Sequence, residues 1–274
     1  MSTILYPLLV LGGLGLLFGV ILSLASKAFA VETDPKVEEI RSVLPGANCG
    51  ACGFPGCDGL ANAIAEGKAP VNGCAVGGKA VADKVAEIMG VSGQDAEKMV
   101  AKVLCQGTDC KAIKKYEYTG LQDCKAANIV AGGNKGCQYG CLGFGTCKDV
   151  CQFEAIEIID GIANIDPEKC TSCGQCIKAC PKGIIELVPY KQKVIVKCKS
   201  SEFGKSVKEK CTIGCIGCQM CVKACPTDPK AMQFENNLAH IDYEKCINCG
   251  LCAQKCPTGA IWSMLKKREE VKEA

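Results

Sequence analysis

Apolar residues are arranged along this chain as one long run followed by many short periodic segments. Ile4 to Ala25 is almost entirely apolar, and the first charged residue is Lys27. As a helix, these twenty-two residues span about 33 Å, which matches the hydrocarbon core of a bilayer. We therefore predict a transmembrane anchor over residues 1–30, with the body of the chain on the cytoplasmic side, where Lys27 lies.

A cleaved signal peptide is the alternative interpretation of the apolar run, because Ala28-Phe29-Ala30 resembles a cleavage site. Two features favour an uncleaved anchor. No positively charged residue precedes the run, and the run is longer than the apolar region of a signal peptide. Export would also remove the cysteines of the chain from a reducing compartment.

Shorter periodic segments follow the anchor. Residues 155–170 and 231–246 alternate apolar and polar residues around Asp160-Gly161 and Asn236-Asn237, which predicts two β-hairpins. These two segments align without a gap and form an internal repeat. Apolar residues at helical spacing predict helices over residues 35–44, 57–66, 79–89 and 94–104. The fold class is therefore predicted to be α+β.

Composition changes this picture, because 25 of the 274 residues are cysteine and only 5% are aromatic. In a secreted chain so many cysteines would indicate disulfides, but their spacings here are those of metal ligands, which must stay reduced. A body poor in aromatic residues is expected to fold around its metal centres. The net charge of +3 is too small to indicate a nucleic-acid partner.

The most regular cysteine pattern lies in residues 211–263, which we call module 2. It contains two runs with the spacing C-x₂-C-x₂-C-x₃-C-P, which is typical of ferredoxins with two [4Fe–4S] clusters. The cysteines of the two runs are Cys215, Cys218, Cys221 and Cys225, then Cys246, Cys249, Cys252 and Cys256. In such a pattern the fourth cysteine of each run binds the other cluster. We therefore expect Cys225 to join the second run and Cys256 to join the first.

Residues 137–190, module 1, contain a second pair of runs. The later run is regular and contains Cys170, Cys173, Cys176 and Cys180. The earlier run is stretched to x₃, x₅ and x₃ spacing and contains Cys137, Cys141, Cys147 and Cys151. Gln152 stands where the regular pattern has proline. Eight cysteines predict two more clusters, but the stretched run leaves open which cysteines share a cluster.

A fifth cluster is predicted near the N-terminus, where three neighbouring thiolates and one distant thiolate suit a single cubane. The candidate ligands are Cys49, Cys52, Cys57 and Cys74. Zinc is the alternative for these four cysteines, but the other predicted clusters of the chain favour a cluster here as well. The predicted cofactors are therefore five [4Fe–4S] clusters.

Five cysteines have no predicted partners. They are Cys105, Cys110, Cys124, Cys198 and Cys211. The last two flank a basic linker, residues 191–210, which contains seven lysines and two glutamates. This linker is either a solvated loop or a docking surface for an acidic electron carrier, which long-range charge would steer towards it.

Clusters in series on a membrane anchor indicate electron transfer, because no nucleophile, general base or nucleotide loop accompanies them. The glycine-rich anchor, the CGACGFPGC motif, the YGCLGFGTC stretch and the ferredoxin runs resemble the B subunits of Rnf complexes, the ion-translocating ferredoxin:NAD⁺ oxidoreductases of bacterial membranes. The resemblance covers nearly the whole chain and is to long forms with two ferredoxin modules. It implies a subunit of the bacterial cytoplasmic membrane that accepts electrons from reduced ferredoxin. It also implies that other subunits reduce NAD⁺ and export Na⁺ or H⁺.

Two other functions stay open on the sequence: a relay subunit of another membrane oxidoreductase, such as a hydrogenase-type complex, and a cluster-based redox sensor. The predicted architecture is an N-terminal transmembrane helix, a small helical [4Fe–4S] domain and two tandem ferredoxin-like 2[4Fe–4S] modules. The predicted order is anchor 1–30, single-cluster domain 31–104, connecting segment 105–136, module 1 at 137–190, basic linker 191–210, module 2 at 211–263 and charged tail 264–274.

Overall fold

A computed structural model describes residues 2–28, 34–91 and 97–265 of the chain. Helix α1 (Ser2–Ala28) coincides with the apolar run. Its segment Leu9–Ser26 is long and apolar enough to cross a membrane, and no residue of it is buried against the rest of the described chain. The predicted helix is confirmed, whereas Phe29 and Ala30 of the possible cleavage site lie outside the described residues.

Three short helices follow: α2 (Pro35–Val43), α3 (Gly56–Ala65) and α4 (Gly78–Met89). Asp34 caps α2, because its carboxylate accepts a hydrogen bond from the Lys36 N–H at 2.9 Å. Ile40, Leu60 and Val85 are at most 1% exposed and form the core between these helices. Burial of each such side chain contributes about 1.5–3 kcal/mol. The first three predicted helices are confirmed.

The fourth predicted helix, 94–104, is wrong over its described part. Residues Met99–Val103 form strand β1, which pairs antiparallel with β4 (Ile185–Pro189). A five-residue segment with four apolar residues does not distinguish a helix from a strand by its periodicity, and here an available partner strand decides. Residues 92–96 lie outside the described part of the chain.

Both predicted hairpins are confirmed. The first consists of β2 (Ile156–Ile159) and β3 (Ile162–Ile165). The second consists of β6 (Met232–Glu235) and β7 (Leu238–Ile241). All four turn residues have φ between 48° and 72°, which is the left-handed geometry that two-residue hairpin turns require.

Two strands pair with strands that lie in a different predicted segment of the chain. β5 (Val194–Val196), from the basic linker, pairs with β8 (Ile261–Ser263) at the end of module 2. Strand β1 likewise joins module 1 from the N-terminal side. Ile195 is fully buried, so the linker is partly core and not simply a solvated loop. The other helices are short: α5 (Cys124–Ile129), α6 (Thr146–Asp149), α7 (Gln175–Ala179), α8 (Gly204–Lys210), α9 (Met220–Ala224) and α10 (Leu251–Gln254).

Candidate functional site

All 25 cysteines lie in the described residues, and the fold gathers 23 of them into six groups, five of four and one of three. The groups are group 1 (Cys52, Cys57, Cys74), group 2 (Cys151, Cys170, Cys173, Cys176), group 3 (Cys124, Cys141, Cys147, Cys180), group 4 (Cys105, Cys137, Cys198, Cys211), group 5 (Cys215, Cys218, Cys221, Cys256) and group 6 (Cys225, Cys246, Cys249, Cys252). Cys49, the fourth ligand that the sequence predicts for group 1, lies between group 1 and group 2. Cys110 stands apart and is exposed.

Groups 5 and 6 have the crossed arrangement that the ferredoxin pattern predicts. Cys256 lines a hollow with the first three cysteines of the first run. Cys225 lines another hollow with the first three cysteines of the second run. Helices α9 and α10 carry Cys221 and Cys252, which are 7% and 8% exposed. Each group therefore combines buried sulfurs with more accessible ones.

In module 1, one of the eight predicted cysteines is replaced by a cysteine from outside the module. Cys124, from the connecting segment, lies with Cys141, Cys147 and Cys180 around one hollow. Cys137, the first cysteine of the stretched run, lies instead in group 4. The stretched run therefore contributes to three groups, and a fourth sulfur for group 3 comes from outside the module.

Hydrogen bonds to Thr146 hold Cys124 in this place. The Thr146 hydroxyl accepts a bond from the Cys124 N–H and donates one to Asp123, each at 2.7 Å. The donated bond lowers the pKa of the Asp123 carboxyl. Because Thr146 begins α6 and Cys147 follows it, this pair of bonds fixes α5 beside the sulfur of Cys147.

Group 1 lies beside module 1. Burial raises the pKa of Cys74, and the nearby thiols of Cys57 and Cys52 make a smaller contribution in the same direction. Cys49 reaches towards group 2, where its charge contributes to the raised pKa of Cys173 after burial. The Gln175 side-chain amide donates a hydrogen bond to the Cys49 carbonyl and ties the two groups together.

Backbone and side-chain N–H groups point at several of these sulfurs. The Gly77 N–H donates to the sulfur of Cys74, and the Gln192 side-chain amide donates to that of Cys246, both at 3.3 Å. The N–H groups of Ala101 and Ala155 donate to the sulfurs of Cys170 and Cys151, both at 3.4 Å. Such donors stabilise negative charge on sulfur and raise the reduction potential of a bound cluster.

Burial keeps several of these cysteines in the protonated thiol form when no metal is bound. Burial raises the pKa of Cys147, Cys176 and Cys252 to about 12, and that of Cys221 and Cys198 to about 11. A metal centre must therefore displace protons from these thiols when it binds, and its binding energy becomes folding energy.

The geometry favours clusters over single ions. Four thiolates bind one zinc at about 2.3 Å, which requires the sulfurs to converge on a point. Four sulfurs spread around a hollow instead suit a cubane, in which each cysteine binds a separate iron.

Three sequence models of iron–sulfur families match four parts of the chain. The model described as "Putative Fe-S cluster" matches residues 44–76. A "4Fe-4S binding domain" model matches residues 163–186 and 239–262, and a second model of that description matches residues 208–228.

Similar proteins cover most of the chain. The B subunit of the Na(+)-translocating ferredoxin:NAD(+) oxidoreductase complex of Acetobacterium woodii is 54% identical over 89% of this chain and 73% of its own length. The chain belongs to the family of Rnf complex B subunits. The B subunit of the ion-translocating oxidoreductase complex of Methanosarcina acetivorans is 44% identical over 89% of this chain and 92% of its own length. The B subunit of the proton-translocating ferredoxin:NAD(+) oxidoreductase complex of Clostridium ljungdahlii is 44% identical over 88% of this chain and 85% of its own length.

Family membership makes this chain an electron-transfer subunit of an ion-translocating oxidoreductase, with other subunits of that complex as partners. The apolar helix α1 agrees with association of the chain with a membrane. The iron–sulfur domains that the family models match account for the abundance of cysteine.

Sequence reasoning missed two features of the site. Nothing in the local spacing marks Cys124 as a partner of Cys147, since 22 residues separate them and only the bonds of Thr146 bring them together. The members of group 4 lie in no C-x₂-C motif, and only the number of unassigned cysteines could have indicated this group. Five cysteines were left over after five complete sets, which is enough for one more set.

Proposed function

We propose that this chain accepts electrons from reduced ferredoxin and passes them to other subunits of a membrane complex that reduces NAD⁺ and exports Na⁺ or H⁺. Five [4Fe–4S] clusters at groups 1, 2, 3, 5 and 6 would carry them, with Cys124 taking the place predicted for Cys137 in module 1. The observation that supports this most is the arrangement of four-cysteine groups in series on a chain with one apolar helix.

When bound, a [4Fe–4S] cluster takes up and releases one electron at a time. The cysteine thiolates hold it, and neighbouring N–H groups stabilise the charge it gains. Buried side chains such as Ile156 and Ile184, packed around Cys176, keep water from the sulfurs. We further propose that the body lies on the cytoplasmic side of the bacterial inner membrane, where reducing conditions keep thiols available.

The basic linker supplies a docking surface in this proposal. Lys191 and Lys193 are exposed and flank Gln192, whose amide donates a hydrogen bond to the Cys246 sulfur of group 6 at 3.3 Å. An acidic ferredoxin attracted to these two lysines would therefore lie beside a cluster. Charge of this kind raises the association rate more than the chemical step.

Three other lysines of the linker make contacts within the chain. Lys199 pairs with Glu186, and Lys210 pairs with Glu202 at 2.7 Å. Lys197 lies over the Trp262 ring, 5.1 Å from its centroid. These side chains are consequently less available to an incoming carrier than Lys191 and Lys193.

The function is tested by mixing the anaerobically purified full-length chain with reduced ferredoxin and following the visible absorbance of its clusters. Dithionite shows separately that the clusters are redox-active. If dithionite reduces them and ferredoxin does not, ferredoxin is not the donor.

The docking surface is tested with Lys191→Gln/Lys193→Gln, which should slow reduction by ferredoxin at low salt by roughly threefold to tenfold. Lys205→Gln/Lys208→Gln removes the same charge from exposed residues of α8 and is the matched control. Reduction by dithionite should be equal in all variants. Equal slowing in both double variants would mean that net charge alone, and not a surface beside group 6, steers ferredoxin.

A further inference from the structure

Group 4 is assembled from four separate segments of the chain. Cys105 follows β1, Cys137 opens module 1, Cys198 follows β5 and Cys211 ends α8. Their side chains line one hollow between these segments. This arrangement resembles that of groups 3, 5 and 6, although no motif of the sequence connects its members.

The glycine at position 107 shows how close two of these sulfurs come. A Cβ atom at Gly107 would lie 3.5 Å from the sulfur of Cys105 and 3.7 Å from that of Cys211. Both sulfurs therefore border one small space, which glycine leaves open. The Gly107 N–H itself donates to the Cys105 sulfur at 3.4 Å.

A buried lysine supplies positive charge beside this space. Lys135 is 1% exposed, and its ammonium donates to the carbonyls of Gly107 and Gly161 at 2.8 Å. The carboxylate of Asp109 is more distant, at 3.9 Å. A buried cation needs a nearby negative charge to offset its desolvation, and four thiolates around an iron–sulfur core would provide it.

Group 4 also lies between the two modules. The Cys141 N–H, in group 3, donates a hydrogen bond to the sulfur of Cys105 at 3.5 Å. The Cys215 N–H, in group 5, donates one to the sulfur of Cys198 at 3.3 Å. One hydrogen bond therefore separates group 4 from a cysteine of each module.

We propose that Cys105, Cys137, Cys198 and Cys211 hold a sixth [4Fe–4S] cluster, which connects module 1 to module 2. The electron-transfer part of this inference rests on the proposed function. One electron enters from the cluster of one module and one leaves to the cluster of the other, and no bond or proton is transferred. The six groups then form one series, in the order in which they are numbered.

The first test is the metal content of the anaerobically reconstituted full-length chain. Six clusters require about 24 iron atoms and about 24 acid-labile sulfides per chain, whereas five require about 20 of each. Cys198→Ala should lower the iron content by about four atoms. Cys110→Ala, which changes an exposed cysteine outside all groups, should leave it unchanged.

A second variant guards against a folding defect. Cys218→Ala removes an exposed ligand of group 5 and should also cost about four iron atoms, from a different cluster. The double variant Cys198→Ala/Cys218→Ala should then lose about eight. Equal iron content in wild type and Cys198→Ala would overturn the sixth cluster.

Electron transfer between the modules has a separate readout. In Cys198→Ala, freeze-quench electron paramagnetic resonance after mixing with reduced ferredoxin should show one module reduced quickly and the other at least tenfold more slowly. Equally fast reduction of both modules would overturn the connecting role. If wild type holds about 24 iron atoms but ferredoxin does not reduce it, the proposed function fails and the sixth site stands.

Discussion

The crossed pairing in module 2 makes a prediction about which thiols a single substitution releases. In Cys256→Ala the cluster of group 5 should be lost, although Cys256 follows the second run in sequence. The released thiols should then be those of Cys215, Cys218 and Cys221, while group 6 keeps its cluster. Iron content should fall by about four atoms. In Cys225→Ala, group 6 should lose its cluster and group 5 should keep its own.

Alkylation by iodoacetamide followed by mass spectrometry identifies the released thiols. Cys218 and Cys249 are the matched reporters, since each is an exposed cysteine at the same position of its run. Cys221 should react slowly, because burial raises its pKa to about 11. At pH 8 about one molecule in a thousand would carry its thiolate, roughly two-hundredfold fewer than for an ordinary thiol of pKa about 8.5.

The thiolate is the form of cysteine that reacts with iodoacetamide, so alkylation should become faster as the pH rises. Raising the pH by one unit should increase alkylation of Cys221 about tenfold, until the pH approaches its pKa. Rapid labelling of Cys218 with Cys249 protected is the expected result for Cys256→Ala. Labelling of Cys249 with Cys218 protected would refute the crossed pairing.

Three further predictions concern other parts of the chain. Lys135→Met should lower the midpoint potential of nearby clusters by roughly 50–100 mV in a redox titration, because a buried positive charge favours the reduced state; unchanged potentials would contradict this. Leu60→Ala should destabilise the N-terminal helices by about 2–5 kcal/mol, so Cys52 should become alkylated at a lower temperature than in wild type while group 6 is unaffected. Native chain should resist carbonate extraction from membranes and begin at Met1 or Ser2, whereas an N-terminus at Val31 would indicate a cleaved signal peptide.

Local patterns in the sequence determined much of the architecture. The apolar run predicts α1 because its length and composition alone suit a membrane. Asp160-Gly161 and Asn236-Asn237 predict the hairpins because few residues tolerate left-handed turn geometry. The regular runs of module 2 predict their crossed groups because the spacing within a run sets which sulfurs can reach one cubane.

Tertiary structure decided the features that depend on segments far apart in sequence. Strand β1 exists because β4 offers it a partner, which the sequence of five residues in β1 cannot reveal. Cys124 joins group 3 through Thr146, and Cys137 leaves the stretched run for group 4. A cysteine without a local motif carries no information about its partners, because any distant thiol satisfies the same iron. Only the packing of β1, β5 and α8 brings the four sulfurs of group 4 around one space.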